Sequence, residues 1–151
     1  MISCQQDKSA YIDVSTVFSE FNLAQKLEKE REKVTNARQG VLDSLELQLN
    51  HMSKQLQFKV DSNQFKLFNQ KRQEFYYKEK QFDEDNQALL QEHNAQSMKQ
   101  LNEYIKEYGK TNGYKYIFGA TGNGSMMYAD DMANISKELV EYCNNKYNGI
   151  E

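Results

Sequence analysis

The chain has 151 residues, no Pro, no Trp, 38% hydrophobic residues and a formal net charge of −3. That length suits one ordinary domain, and without Pro nothing reliably breaks a helix, so long helices that carry few apolar residues are expected. The acidic balance speaks against nucleic acid as a whole-chain partner, no run approaches the ~18–20 apolar residues of a membrane span, and two cysteines, Cys4 and Cys143, make no disulfide framework.

Residues 1–9 carry no element signal and are expected to form a flexible N-terminus. Ile2-Ser3-Cys4 resembles the end of a bacterial lipoprotein signal, where the Cys becomes the lipidated first residue. Four letters are equally compatible with an incidental Cys. Ala10–Val14 (AYIDV) is a β-branched and aromatic run long enough for one strand. Ser15 then offers a helix N-cap, and from Thr16 the pattern stays helical for about 45 residues.

Leu42, Leu45, Leu49, Met52 and Leu56 alternate spacings of three and four, the seam of a coiled coil. Further on, Phe68, Phe75, Phe82 and Leu89 recur every seven residues. Leu56 with Phe68, Leu49 with Phe75 and Leu42 with Phe82 are pairs whose position numbers add to 124, as are Leu23 with Leu101 and Val34 with Leu90. An antiparallel hairpin pairs positions of constant sum, so two long helices are expected to fold back near Ser62, inside the turn-prone VDSNQ. Helices of about 45 residues would each run ~65–70 Å at 1.5 Å per residue. Gly40, the one Gly expected inside either helix, costs ~1 kcal/mol there relative to Ala. It reads as a hinge, or as a tolerated close approach between helices.

Gly113 is a plausible C-cap for the second helix. Tyr114–Ala120 (YKYIFGA) and Ser125–Ala129 (SMMYA) read as two strands joined at Asn123-Gly124, the dipeptide of a tight type I′ hairpin. Ser136 is the expected N-cap of a last helix with Ile135, Leu139, Val140, Cys143 and Tyr147 inward.

The glycine-dense loop also invites a phosphate-binding reading, which fails on chemistry. A P-loop needs Lys and Ser/Thr after its last Gly, but Gly124 is followed by Ser125 and Met126. The dinucleotide fingerprint would need Gly where Met127 stands. His51 and His93 lack metal-ligand spacing, the acids of Phe82–Gln87 lack the alternation and Gly of a calcium loop, and Asp130-Asp131 sits in a loop. No catalytic, cofactor or metal site is expected, and the chain reads as a non-enzyme.

Charge is uneven. Residues 51–80 hold seven cations, Lys54, Lys59, Lys66, Lys71, Arg72, Lys78 and Lys80, against Asp61, Glu74 and Glu79. A solvated helix surface is the plain explanation of such a run.

Taken in order, these stretches resemble the Skp/OmpH family of periplasmic chaperones. YIDVSTVFSEF is similar to the family's first strand and helix start. RQEFYYKEKQFDED is similar to its returning helix, with Arg72, Gln73, Phe75, Phe82 and Asp85 in the family's spacing. NGYKYIFGA followed by MMYADDMANISKELVEY is similar to its closing strands and last helix.

The resemblance implies a mostly α, α+β chain with one long antiparallel two-helix coiled-coil arm (15–113). Short strands and the C-terminal helix (10–14 and 114–151) would join into a small oligomeric β-body. It implies a homotrimer whose arms enclose a cavity holding unfolded outer-membrane β-barrel proteins without ATP, in the periplasm, with a membrane tether if Cys4 carries lipid. Tyr11, Ile12, Ile117, Phe118, Met126, Met127 and Tyr128 are the candidates for oligomerisation. Lys59, Lys66, Lys71 and Arg72 are the candidates for attracting acidic client segments or lipid headgroups. The acidic net charge departs from the strongly basic pattern of better-known members. A coiled-coil scaffold or adaptor of the cell envelope without chaperone activity is the alternative. Prefoldin-type chaperones differ in placing their β-hairpins between the two helices.

Overall fold

The computed structural model describes residues 8–58, 61–124 and 126–150. Its elements are β1 (Ser9–Asp13), α1 (Val14–Glu20), α2 (Asn22–Phe58), α3 (Ser62–Thr111), β2 (Tyr116–Ala120), a 3-10 turn (Asp131–Ala133) and α4 (Ser136–Asn148). Two long helices packed together, with a small sheet, make this an α+β chain dominated by helix. It divides into two compact units, one of Met1–Glu28 with His93–Glu151 and one of Lys29–Glu92.

The first unit holds the chain's main core. Ile12, Val17, Phe21, Leu23, Leu101 and Leu139 are all buried there, so the expected pairing of Leu23 with Leu101 lies inside it. β1 and β2 pair in parallel, Ser9 opposite Tyr116 through Asp13 opposite Ala120. A parallel pair needs a long crossover, and here the whole helical hairpin supplies it. The free side of β1 is taken by Asn134 and Ile135, the latter donating its N–H to the Tyr11 carbonyl at 3.0 Å.

Several local expectations are corrected. The first long helix is broken: Phe21 is extended (φ −74, ψ 122) and separates α1 from α2. The groups freed by the break are satisfied from α4, where Asn144 accepts from Asn22 N–H at 2.8 Å and donates to the Glu20 carbonyl at 3.0 Å. Asp13, not Ser15, caps α1, its carboxylate accepting from Thr16 N–H at 2.9 Å. Ser136 is the first residue of α4 and not its cap. Its hydroxyl accepts from Asp13 N–H at 2.8 Å and donates to Asn134 Oδ1 at 2.6 Å, tying the end of β1 to the start of α4.

Gly113 does end the α3 turn as a Schellman motif, with φ +69 and Tyr114 N–H bonded to the Gly109 carbonyl at 2.9 Å. Gly109 lies inside α3, so Gly40 is not the one helical Gly. A Cβ at Gly109 would sit 3.3 Å from Ile117 Cδ1, which makes it a close approach of β2 to the helix.

Among the described residues the expected second strand is absent: residues 126–130 are irregular. A type I′ turn needs positive φ at both central residues, and Asn123 lacks it, since no described residue other than Gly has positive φ.

The second unit is the distal part of the α2/α3 pair. Half-buried positions step by three and four along both helices, and Leu45 is its one buried residue among those described. Arg38 Nη1 donates to Asn86 Oδ1 at 2.5 Å, another pair adding to 124, and Leu42 and Phe82 line one cavity. Thr35 and Leu89, again adding to 124, take the half-buried places, while Val34 and Leu90 are 39% and 41% exposed beside the seam. α2 ends at Phe58, and Asp61 precedes α3 with its carboxylate accepting from Asn63 N–H at 2.8 Å. α3 therefore starts at Ser62 itself.

Candidate functional site

Three surfaces carry the functional candidates. The first is the open side of β2. Among the described residues the sheet has two strands, so one edge of β2 is unpaired. Tyr116 and Phe118 point away from the core, half exposed and stacked 5.7 Å apart. Met127 and Tyr128 are 88% and 87% exposed. Of the other sequence candidates here, Ile12 is buried in the chain's own core, and Tyr11, Ile117 and Met126 are half-buried.

Beside this edge, Val14, Phe18, Ala95, Met98 and Thr121 line an open, mostly apolar groove of about 640 Å³.

The second surface is the basic segment of the Lys29–Glu92 unit. Lys66 and Arg72 are exposed, while Lys71 is half-buried and pairs with Glu74 at 2.8 Å. The Lys71 ammonium, by hydrogen bond and by charge, holds the Glu74 carboxyl below the usual carboxylate range. Lys59 and Cys4 lie outside the described residues.

The third is Gly40, exposed on α2, where an added Cβ would meet nothing within 4 Å. That geometry removes the close-approach explanation of this Gly.

Sequence reasoning missed a cluster of tyrosines in the first unit. Tyr108 donates to Glu138 Oε2 at 3.1 Å and packs against Tyr142 and Tyr114, ring centroids 5.1 and 6.0 Å away. Burial first, then the Glu138 carboxylate, pushes the Tyr108 phenol up to about 12. Lys146 bonds Glu107 at 2.6 Å and holds its carboxyl below the usual range. The spacing of four between Tyr104 and Tyr108 is the sequence signal for this cluster, and a seam of Leu, Met, Val and Phe does not include it. Burial likewise pushes the Cys143 thiol up to about 12, which suits an inert core residue rather than a nucleophile.

No group of three or more His, Cys, Asp or Glu among the described residues is placed to hold a metal. His51 is exposed, and His93 Nδ1 is buried without a hydrogen-bond partner among the described residues. The loop of Gly122 and Gly124 runs into irregular chain and opens no helix, so it lacks the N-terminal amides that hold phosphate. No described helix is long and apolar enough to cross a membrane.

What the molecule presents is therefore apolar edges, a polar two-helix surface and a cationic segment, which suit binding by shape and charge. A search of curated proteins finds no match. The family described as "Outer membrane protein (OmpH-like)" matches residues 8–142, most of the chain. With its first strand, paired helices, β2 and the first half of α4 inside that match, the chain belongs to the Skp/OmpH-like family of periplasmic chaperones of outer-membrane proteins.

Proposed function

We infer that the protein is an ATP-independent holdase. In this reading three copies join through residues 10–14 and 114–151, and unfolded outer-membrane proteins are held in a cavity between their helical arms, residues 15–113. The observation that carries the reading is the uncovered edge of β2 beside exposed Tyr116, Phe118, Met127 and Tyr128. A free strand edge with apolar neighbours invites another chain, and a two-stranded sheet is a marginal unit alone. A contact between unlike surfaces closes into a ring where its rotation divides a full turn, and otherwise runs on as a filament; the family resemblance supplies the closed ring of three.

Inside such an enclosure weak contacts suffice, because confinement raises effective concentration. A lipid on Cys4 would tether the holdase to the membrane, and the intact mass of protein extracted from the cell envelope checks it.

Solution mass by light scattering, paired with aggregation of an unfolded barrel protein at matched stoichiometry, tests the reading. A trimer that keeps the client soluble without nucleotide is expected. A monomer without effect on the client would sink it and favour the envelope scaffold.

Gly40 serves as the hinge of the arm. Gly40→Ala should raise helix stability by up to ~1 kcal/mol, since the new Cβ meets nothing, and should narrow the range of client sizes held. A stabilised variant with an unchanged client range would remove the hinge.

A further inference from the structure

Near the reversal of the hairpin, Ser53, Leu56 and Gln57 of α2 face Phe65 and Phe68 of α3 across an open groove of about 320 Å³. Its volume lies at the small end of the ~300–1,000 Å³ of ligand pockets, and its wall is mostly apolar, as such pockets are. The seam does not close it: Phe65, which lines it, is 54% exposed.

Exposed cations lie close to the lining residues along each helix, without lining the groove themselves. Lys54 sits beside Ser53, Lys66 beside Phe65, and Arg72 lies one helical turn beyond Phe68, on the same side of α3. The nearby carboxylates are engaged, Asp61 with Asn63 N–H and Glu74 with Lys71. Lys54, Lys66 and Arg72 have no carboxylate partner among the described residues.

We propose that this groove is a docking point for one aromatic side chain of an extended peptide segment whose neighbouring residues are acidic. The apolar wall takes the ring, and the cations nearby, within reach of an extended segment, attract its flanking carboxylates. A concave groove of single-side-chain size suits a discrete residue better than a lipid surface, which would be met by protruding apolar groups. The proposal rests on reading the chain as a holder of unfolded proteins, and it names the segments held at this end of the hairpin. Charge supplies selection and encounter rate, and the ring supplies residence.

The test uses the full chain and three short labelled peptides read by fluorescence anisotropy: one with Phe between glutamates, one with that Phe replaced by Ser, one with the glutamates replaced by lysines. Wild type should bind the first about tenfold more tightly than either control. Phe65→Ser should remove about tenfold of that affinity, as losing burial of a ring predicts; its side chain is exposed, and circular dichroism checks that helix content is kept. Lys54→Glu with Lys66→Glu should weaken binding severalfold at low salt, with the difference vanishing at high salt.

Equal binding of the three peptides overturns the proposal, as does a preference kept intact in both variants. So does binding to anionic vesicles that the charge reversals abolish while peptides go undiscriminated, which assigns the cations to lipid. Aggregation suppression measured in parallel separates the two readings. A holdase that ignores the peptides loses the groove alone, and a protein that discriminates the peptides yet protects no client loses the holdase alone.

Discussion

Phe21→Ala is expected to destabilise the protein by about 3–5 kcal/mol, the cost of emptying a ring-sized site in a packed core. The ring is 0% exposed and meets Tyr104 and Tyr147 edge-on, with centroids 6.1 and 5.9 Å away. It therefore touches α3 and α4 from the break between α1 and α2. The break costs helical hydrogen bonds, which Asn144 replaces only if α4 stays docked. Removing the ring loosens that docking, so the penalty includes weakened hydrogen bonds as well as a cavity. A domain has only about 5–15 kcal/mol in total. Chemical denaturation followed by far-ultraviolet circular dichroism, at fixed chain concentration because assembly shifts apparent stability, measures it. A loss under ~1 kcal/mol would mean that the site collapses around the smaller residue and that Phe21 does not organise the unit.

The same residue shows why part of the fold was legible in the sequence and part was not. Leu42 with Phe82 and Leu56 with Phe68 could be read in advance because a heptad seam is written in local spacing, and a hairpin's register follows from arithmetic on position. Nothing near Phe21 marks a break, neither Pro nor Gly. The partner that makes it affordable, Asn144, lies 122 residues from Asn22.

Capping failed for a related reason. Asp13 and Ser15 are both good caps two residues apart, and the first wins while Ser136 is drawn into bonding Asp13 N–H. Asn123-Gly124 promised a hairpin, but a hairpin also needs a returning strand on the open edge of β2, and residues 126–130 are irregular. Of the candidate surfaces, the cations were visible as letters. The groove near them was not, because Leu56 and Phe68 read as closed seam and only the geometry leaves a gap between them.

Leu45→Ala should unfold one part of the chain more readily and spare the other. Leu45 is 8% exposed and is the one buried residue described in the Lys29–Glu92 unit; the remainder of that seam is half-buried. Two packed helices reach water along both flanks, so the cost belongs near the low end for a buried Leu, about 2 kcal/mol. That corresponds to roughly a 30-fold rise in local opening. Hydrogen exchange should show the change in amides of α2 and α3 between residues 29 and 92, with β1 and α4 unaffected. A uniform loss of protection along the whole chain would show one cooperative unit and remove the division. The expectation matters for the holdase reading, because a grip that adapts to clients of different size needs a segment with little stability in reserve. In the first unit Val17, Phe21, Leu101, Leu139 and Cys143 are each almost fully buried, and nothing comparable among the described residues holds the second together. The core that maintains assembly and the helices that hold clients would then answer to different residues, and Phe21 and Leu45 are the pair of substitutions that separate them.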